Sequence, residues 1–241
     1  MVRLDKFLSE NTTASRSDVK KMITAGRVSV DGVIIKRPES KVSETSEVLL
    51  DGNAVTAVSG LYYMLNKPGD VITASRDKNK KTVLDLFPPE IGKHLFAVGR
   101  LDLDTEGLLI LTDDGDLCHR LESPRHHVKK TYIAKATGEL SKDYKTRIET
   151  GIEFKEFTSS PAEIEILSHS GDEYVISLTI SEGKFHQVKR MLHAVGVTVT
   201  ALKRVSVGSL RLDESLAAGE YRELTESEIG ELINDTNKNS N

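Results

Sequence analysis

The chain has 241 residues, 38% apolar and 29% charged, with 33 Lys and Arg against 37 Asp and Glu for a net charge of −4. That composition excludes wholesale disorder and, at roughly 150 residues per domain, allows one large domain or a large and a small one. One cysteine, Cys118, permits no internal disulfide or multi-cysteine metal site, no apolar run nears the ~20 residues of a membrane span, and the opening Met1, Arg3, Asp5, Lys6 is unlike a signal peptide; the expected location is the cytosol.

In chain order, Leu4, Phe7 and Leu8 recur at helical spacing. Ser15 and Ser17 offer N-caps for a second helix carrying Val19, Met22 and Ile23, and Gly26 stops it. Residues 27–34 alternate around Asp31-Gly32, which predicts a hairpin. Residues 42–50 alternate weakly and close a compact unit near Asp51-Gly52. A linker is expected at 56–60, before an apolar run at 61–65.

Beyond that break, strands are predicted at 61–66, 107–112, 131–138, 161–167, 173–181 and 203–207. Helices are predicted at 82–86, 115–121, 141–149 and 185–195. This interleaving predicts an α+β fold with a mixed, mainly antiparallel sheet flanked by helices. The expected organisation is a small domain at 1–55, a large one at 61–233 and a disordered polar tail at 234–241.

Charge is unevenly spread along these units. Residues 1–41 hold nine basic against five acidic residues, a net of +4, while residues 213–241 hold two against eight, a net of −6. An acidic end masks a basic head, and for polyanion binding the local charge counts more than the total. The helix pair places Arg3, Lys6, Arg16, Lys20 and Lys21 at surface positions, and Arg27 enters the hairpin. Such groups can neutralise phosphates, although a charge run by itself more often reads as a solvated helical face. The order Leu4-Asp5-Lys6-Phe7-Leu8, Ser15-Arg16-Ser17, then Ile23 to Gly32 resembles the alpha-L RNA-binding fold named for ribosomal small-subunit protein four. That resemblance implies RNA without naming a reaction.

The densest signal is Gly99-Arg100-Leu101-Asp102-Leu103-Asp104-Thr105-Glu106-Gly107, followed by Leu108-Leu109-Ile110-Leu111-Thr112-Asp113-Asp114-Gly115. A polar loop feeds a buried apolar strand and sets a carboxylate beside the sheet. A carboxylate held near apolar neighbours and a cation can act as a nucleophile. Asp102 and Asp104 could equally bind a divalent metal, and Asp113-Asp114-Gly115 could be a turn; residue types alone leave a structural role level with these.

The whole string resembles the hallmark of the RsuA-type ribosomal pseudouridine synthases. Tyr63-Met64-Leu65-Asn66-Lys67-Pro68, then Ser123-Pro124-Arg125-His126-His127 with Lys129-Lys130-Thr131-Tyr132, then Ser181 to Leu192 with Phe185-His186-Gln187-Val188-Lys189-Arg190, resemble the family's other motifs in order. With the head, the resemblance spans nearly residues 1–225. It implies a small alpha-L domain plus a pseudouridine synthase domain. It implies Asp102 as nucleophile, Tyr132 as a stacking platform able to handle a proton, and Lys189 as the cation paired with the nucleophile. Asp104 and Thr105 are expected to shape the loop, and Asp113 and Asp114 to turn it. Arg100, Arg125, His126, His127, Lys130 and Arg190 are expected as RNA contacts.

The implied reaction isomerises one uridine of 16S ribosomal RNA, uridine 516 by resemblance, with a 23S uridine as the alternative target. It needs no cofactor. A zinc site at His186 and His193 has no third ligand at metal spacing, and nothing calls for a dimer. Two other classes compete: a non-catalytic ribosome-assembly factor, which has no need of Asp102, Tyr132 and Lys189 together, and a metal-dependent nuclease, which chelation would silence.

Overall fold

The computed structural model describes residues 2–12, 14–43, 46–55 and 60–238. The chain divides into two compact units, Met1–Ser59 and Gly60–Asn241. Residues 56–59 of the expected linker lie outside the described residues.

The first unit runs β1 (Val2–Arg3), α1 (Leu4–Asn11), α2 (Arg16–Thr24), β2 (Val28–Val30), β3 (Val33–Ile34), β4 (Lys41–Val42), β5 (Val48–Leu50) and β6 (Asn53–Ala54). The Ser15 hydroxyl accepts from Asp18 N at 3.2 Å and caps α2. Asp31 and Gly32 both hold positive φ, 51° and 79°, as a two-residue hairpin turn requires. The Asp51-Gly52 pair does the same, so it turns into a second hairpin, β5–β6, rather than ending the unit. Leu4, Leu8, Val19, Ile23 and Val28 fill the core.

The second unit runs β7 (Tyr62–Lys67), a 3₁₀ turn (Val83–Leu86), α3 (Pro89–Gly92), β8 (Phe96–Val98), β9 (Thr105–Thr112) and α4 (Gly115–Glu122). A 3₁₀ turn (Pro124–His126) leads to β10 (Lys130–Gly138), α5 (Tyr144–Thr150), β11 (Glu163–Ser170) and β12 (Glu173–Ile180). Then follow α6 (Gln187–Ala194), β13 (Val197–Val207), β14 (Leu210–Arg211), β15 (Tyr221–Glu223) and α7 (Glu226–Lys238). Among the described residues, nine strands join in one sheet ordered β11-β12-β10-β13-β9-β7-β15, with β14 on β13 and β8 on β9. Only the β13–β9 pairing is parallel, so the sheet is mixed and mainly antiparallel.

The continuous apolar run of β9 has a physical reason: both of its faces are covered. Leu109 and Leu111 enter one core with Tyr63 and Leu65, while Leu108 and Ile110 enter another with Met64 and Leu117. Gly107 lets β9 approach β13, because a Cβ there would lie 2.2 Å from the Arg204 carbonyl.

The tail differs from expectation. Residues 234–238 are helical as the end of α7, Thr236 is fully buried, and Asp235 accepts from Ser209 N at 2.6 Å. Thr225 and Glu228 form a capping box, Glu228 taking the Thr225 N–H and the Thr225 hydroxyl taking the Glu228 N–H. Ile229, Leu232 and Ile233 then pack inward. Polar composition conceals an amphipathic helix with a defined start.

Candidate active site

Asp102 lies on the loop joining β8 to β9, and this loop is held at many points. Thr73 Oγ1 donates to Leu101 O at 2.9 Å and lies 3.2 Å from Leu101 N, while the Leu101 side chain is buried in the core. Asp70 N donates to Leu103 O, and Thr105 N closes a turn onto Asp102 O at 3.1 Å.

Lys67, at the end of β7, is fully buried. Its ammonium donates to the carbonyls of Pro68 and Thr105 at 2.9 Å and of Leu103 at 3.4 Å. Burial pushes its pKa down to about 8, while Asp104, Glu106 and Asp102 pull it upward. In the sequence Lys67 reads as the end of a strand and as part of a motif. The available signal is a lysine two residues beyond the apolar run 61–65, where a buried charge survives only with several acceptors.

The Asp102 carboxylate borders an open, solvent-facing cleft. Apolar walls come from Ile180, Val188 and Leu202, and the Tyr132 ring of β10 lies in the same cleft, 8% exposed. Thr105 also lines it, with a buried hydroxyl that has no hydrogen-bond partner among the described residues. Lys189, from α6, sets its ammonium 3.5 Å from Asp102 Oδ2 and 2.5 Å from Asp104 Oδ1. The cation is therefore shared, and its tighter contact is with Asp104. That hydrogen bond from Lys189 holds the Asp104 carboxyl below its ordinary pKa, against the opposing effect of burial.

His186 precedes α6 in the left-handed region (φ 51°, ψ 30°) and brings Nε2 to 3.6 Å from Asp102 Oδ1. The buried Gln187 braces this turn, donating to Glu182 Oε1 at 2.7 Å and accepting from Lys184 N at 2.9 Å. Among the described residues, no group of three His, Cys, Asp or Glu side chains is placed to hold a metal ion.

The structure thus brings Asp102, Lys189, Tyr132 and Arg100 to one cleft, with Arg100 exposed at its border. Asp113 and Asp114 serve the fold at the end of β9. Asp114 caps α4 by accepting from Asp116 N and Leu117 N, and Asp113 accepts from Leu61 N. Arg125 and His127 are exposed around the turn before β10, with His126 half-exposed.

Two of the residues expected as RNA contacts also have partners within the domain. Lys130 donates to Val128 O at 2.9 Å, and burial, helped by Arg204, lowers its pKa to about 8. Arg190 pairs with Glu156 and lies over the Phe154 and Phe157 rings at 4.7 and 4.8 Å. In the first unit, Arg3 and Arg16 both reach the buried Asp5, at 3.0 and 3.7 Å, Lys21 pairs with Asp18 and Arg27 with Asp51; Lys6 and Lys20 are exposed.

A carboxylate, an ammonium and an aromatic ring thus meet around one cleft. The sequence profile of the RNA pseudouridylate synthases matches residues 61–194, and that of the S4 domain matches residues 2–49. A Bacillus subtilis relative, the uncharacterized RNA pseudouridine synthase YtzG, is 44% identical over 237 residues, covering 97% of this chain and 99% of that protein. The ribosomal small subunit pseudouridine synthase A of Haemophilus influenzae is 40% identical over 235 residues, covering 96% and 100%. A crystal structure of a pseudouridylate synthase, 39% identical, covers 96% of this chain and 100% of its own, with a TM-score of 0.69. The chain belongs to the RNA pseudouridylate synthase family, in its RsuA branch, and is an isomerase acting on RNA.

Proposed function

We propose that this enzyme converts one uridine of 16S ribosomal RNA, uridine 516, to pseudouridine with Asp102 as nucleophile, acting as a cytosolic monomer. The observation that carries the proposal is the Asp102 carboxylate on a many-point-held loop, 3.5 Å from the Lys189 ammonium and in one cleft with Tyr132. The small-subunit target is supported by the name of the Haemophilus relative and by the motifs around Pro124 and Tyr132.

Isomerisation breaks the bond from the ribose C1′ to N1 of the base, turns the base, and joins C1′ to C5. The proton leaving C5 is matched by one gained at N1, so no oxidant or co-reactant enters. The Asp102 carboxylate attacks the nucleoside and holds one partner while the base turns, with the Lys189 ammonium 3.5 Å away. The uridine must first leave its stack, which costs a few kcal/mol. Stacking on Tyr132 offsets part of that cost. Exposed cations of the first unit, with Arg100, Arg125 and His127, contact the phosphates.

Asp102→Asn tests the assignment. It should leave RNA affinity within about twofold while lowering pseudouridine formation on a 16S transcript by about 10³-fold or more, as expected when the nucleophile is removed. Undiminished product would overturn it. Mapping both large rRNAs in a strain lacking the protein tests the target; a missing mark confined to 23S RNA would move it there.

A further inference from the structure

Among the described residues, Phe185 is the most exposed of the large apolar side chains, at 71%. It is also the one aromatic in that group, beside Val33, Ile34 and Leu167. Its ring is not loose. It stacks on the His186 imidazole with centroids 3.8 Å apart and planes 17° from parallel. That imidazole is the group 3.6 Å from Asp102 Oδ1. The turn presenting the pair is fixed by Gln187, which ties Lys184 N to the Glu182 carboxylate, and Ser160 N donates to the same carboxylate. His186 keeps a left-handed backbone, a conformation rarely held by a residue with a side chain and one that clusters at ligand clamps.

A single ring is too small for a protein-docking patch. It does match the flat face of one nucleobase. Extruding a uridine leaves its neighbour in the strand with an uncovered face, and an aromatic side chain restores the missing stacking without reading sequence. Lys184 and Lys189 flank the ring in the sequence, which suits a polyanion.

We propose that the Phe185–His186 pair is a stacking shelf that receives the nucleobase next to the extruded uridine, making Phe185 a positioning residue. The inference rests on the reading that Asp102 acts on an extruded uridine. It adds the site where the neighbouring base goes.

The test uses the full chain and a 16S fragment with 2-aminopurine placed on either side of the target in turn. Binding should quench the fluorophore on one side with the wild-type protein and with Asp102→Asn, and should leave it bright with Phe185→Ala. Phe185→Ala and Phe185→Leu should each lower kcat/KM by about 10- to 100-fold, which is roughly 1.4–2.7 kcal/mol. Phe185→Trp should restore it to within about threefold. All variants should unfold at the wild-type temperature. With an abasic nucleotide at the neighbouring position, wild type and Phe185→Ala should become equal.

A leucine variant as active as wild type, no quench on either side, or a Phe185→Ala defect that persists beside the abasic position would each overturn the shelf. Failure of the parent reading looks different, because Asp102→Asn would then still make product while the quench reports on the shelf independently.

Discussion

The two units of this chain hold their cations in opposite ways. In the first, Arg3, Arg16, Lys21 and Arg27 lie at the surface against acidic neighbours, and Lys6 and Lys20 face solvent. The Lys21–Asp18 and Arg27–Asp51 pairs, exposed on both sides, contribute little to stability, and the neutralising effect of such cations on phosphates is a matter of number. In the second unit two lysines from different elements, Lys67 on β7 and Lys189 on α6, converge on one short loop. There position decides everything: Lys67 holds backbone carbonyls and Lys189 holds carboxylates. Many interchangeable charges suit a large, irregular polyanion, whereas a single reacting atom needs one charge at one place.

The sharpest way to break that contrast is Lys189→Met. Removing a fixed charge from a reacting centre should lower kcat by about 10²- to 10³-fold with KM little changed. Lys189→Arg should be impaired too, since a planar guanidinium cannot reproduce a point charge between Asp102 and Asp104. Single-turnover rates on a 16S fragment measure both, and wild-type rates in Lys189→Met would place the cation outside the chemistry.

Lys67→Met should come next. It removes the ammonium from the Thr105 and Pro68 carbonyls and leaves Leu103 O with Asp70 N alone, and should lower stability by about 1–3 kcal/mol and slow catalysis through a looser Asp102 loop. The pH dependence carries its own signature. The folded pKa, about 8, lies below the ordinary 10.5, so the cost of burying the ammonium is fully present below pH 8. From pH 8 towards 10.5 the folded chain sheds this proton while the unfolded chain keeps it, and stability rises with pH. Urea midpoints at about pH 8 and about pH 9.5 should show a smaller rise in Lys67→Met, with the part due to Lys130 remaining. An identical rise in both proteins would mean that Lys67 does not titrate there.

On the side of the head, Lys6→Gln, Lys20→Gln and Lys21→Gln combined should weaken RNA binding by about tenfold at moderate salt. The slope of log affinity against log salt should flatten by roughly 0.7–0.9 for each phosphate that is no longer neutralised. Turnover at saturating RNA should not change. Filter binding across a salt series measures this, and an unchanged slope would make the head's charge irrelevant to RNA.

What is legible in the sequence follows the same division. The helix pair, the Asp31-Gly32 hairpin and the central strands can be read because local rules dominate there: capping serines, left-handed turn residues, apolar runs. The Asp102 motif can be read as a pattern, but its geometry cannot. Lys67 can be read as the end of a strand and as part of a motif, but not as a buried clamp, because its acceptors are carbonyls from residues 68, 103 and 105, brought together only by the fold. Strand β15 (Tyr221–Glu223) is short and polar, and becomes a strand by pairing with the edge of β7. Helix α7 is hidden by its acidic composition, although Thr225 and Glu228 stand at capping-box spacing. For Lys130 and Arg190 the sequence gives the charge but not the setting: burial beside Arg204 in the first case, and aromatic rings beneath the guanidinium in the second, come from tertiary neighbours.

The smallest effect, and the one that most refines the comparison, belongs to Asp104→Asn. Asp104 holds the shorter contact to Lys189, yet its side chain is 70% exposed, so solvent screens much of that interaction. Two consequences of neutralising it oppose each other. The ammonium is released to lean on Asp102 and orient it better, while the loop loses the contact that ties Asp104 to α6. The net change in kcat should stay below about fivefold. If Asp104→Asn instead loses as much activity as Lys189→Met, the working partner of the cation is Asp104. Lys189 would then act by shaping the loop rather than by charging the nucleophile, and the division of labour between the two lysines would fall.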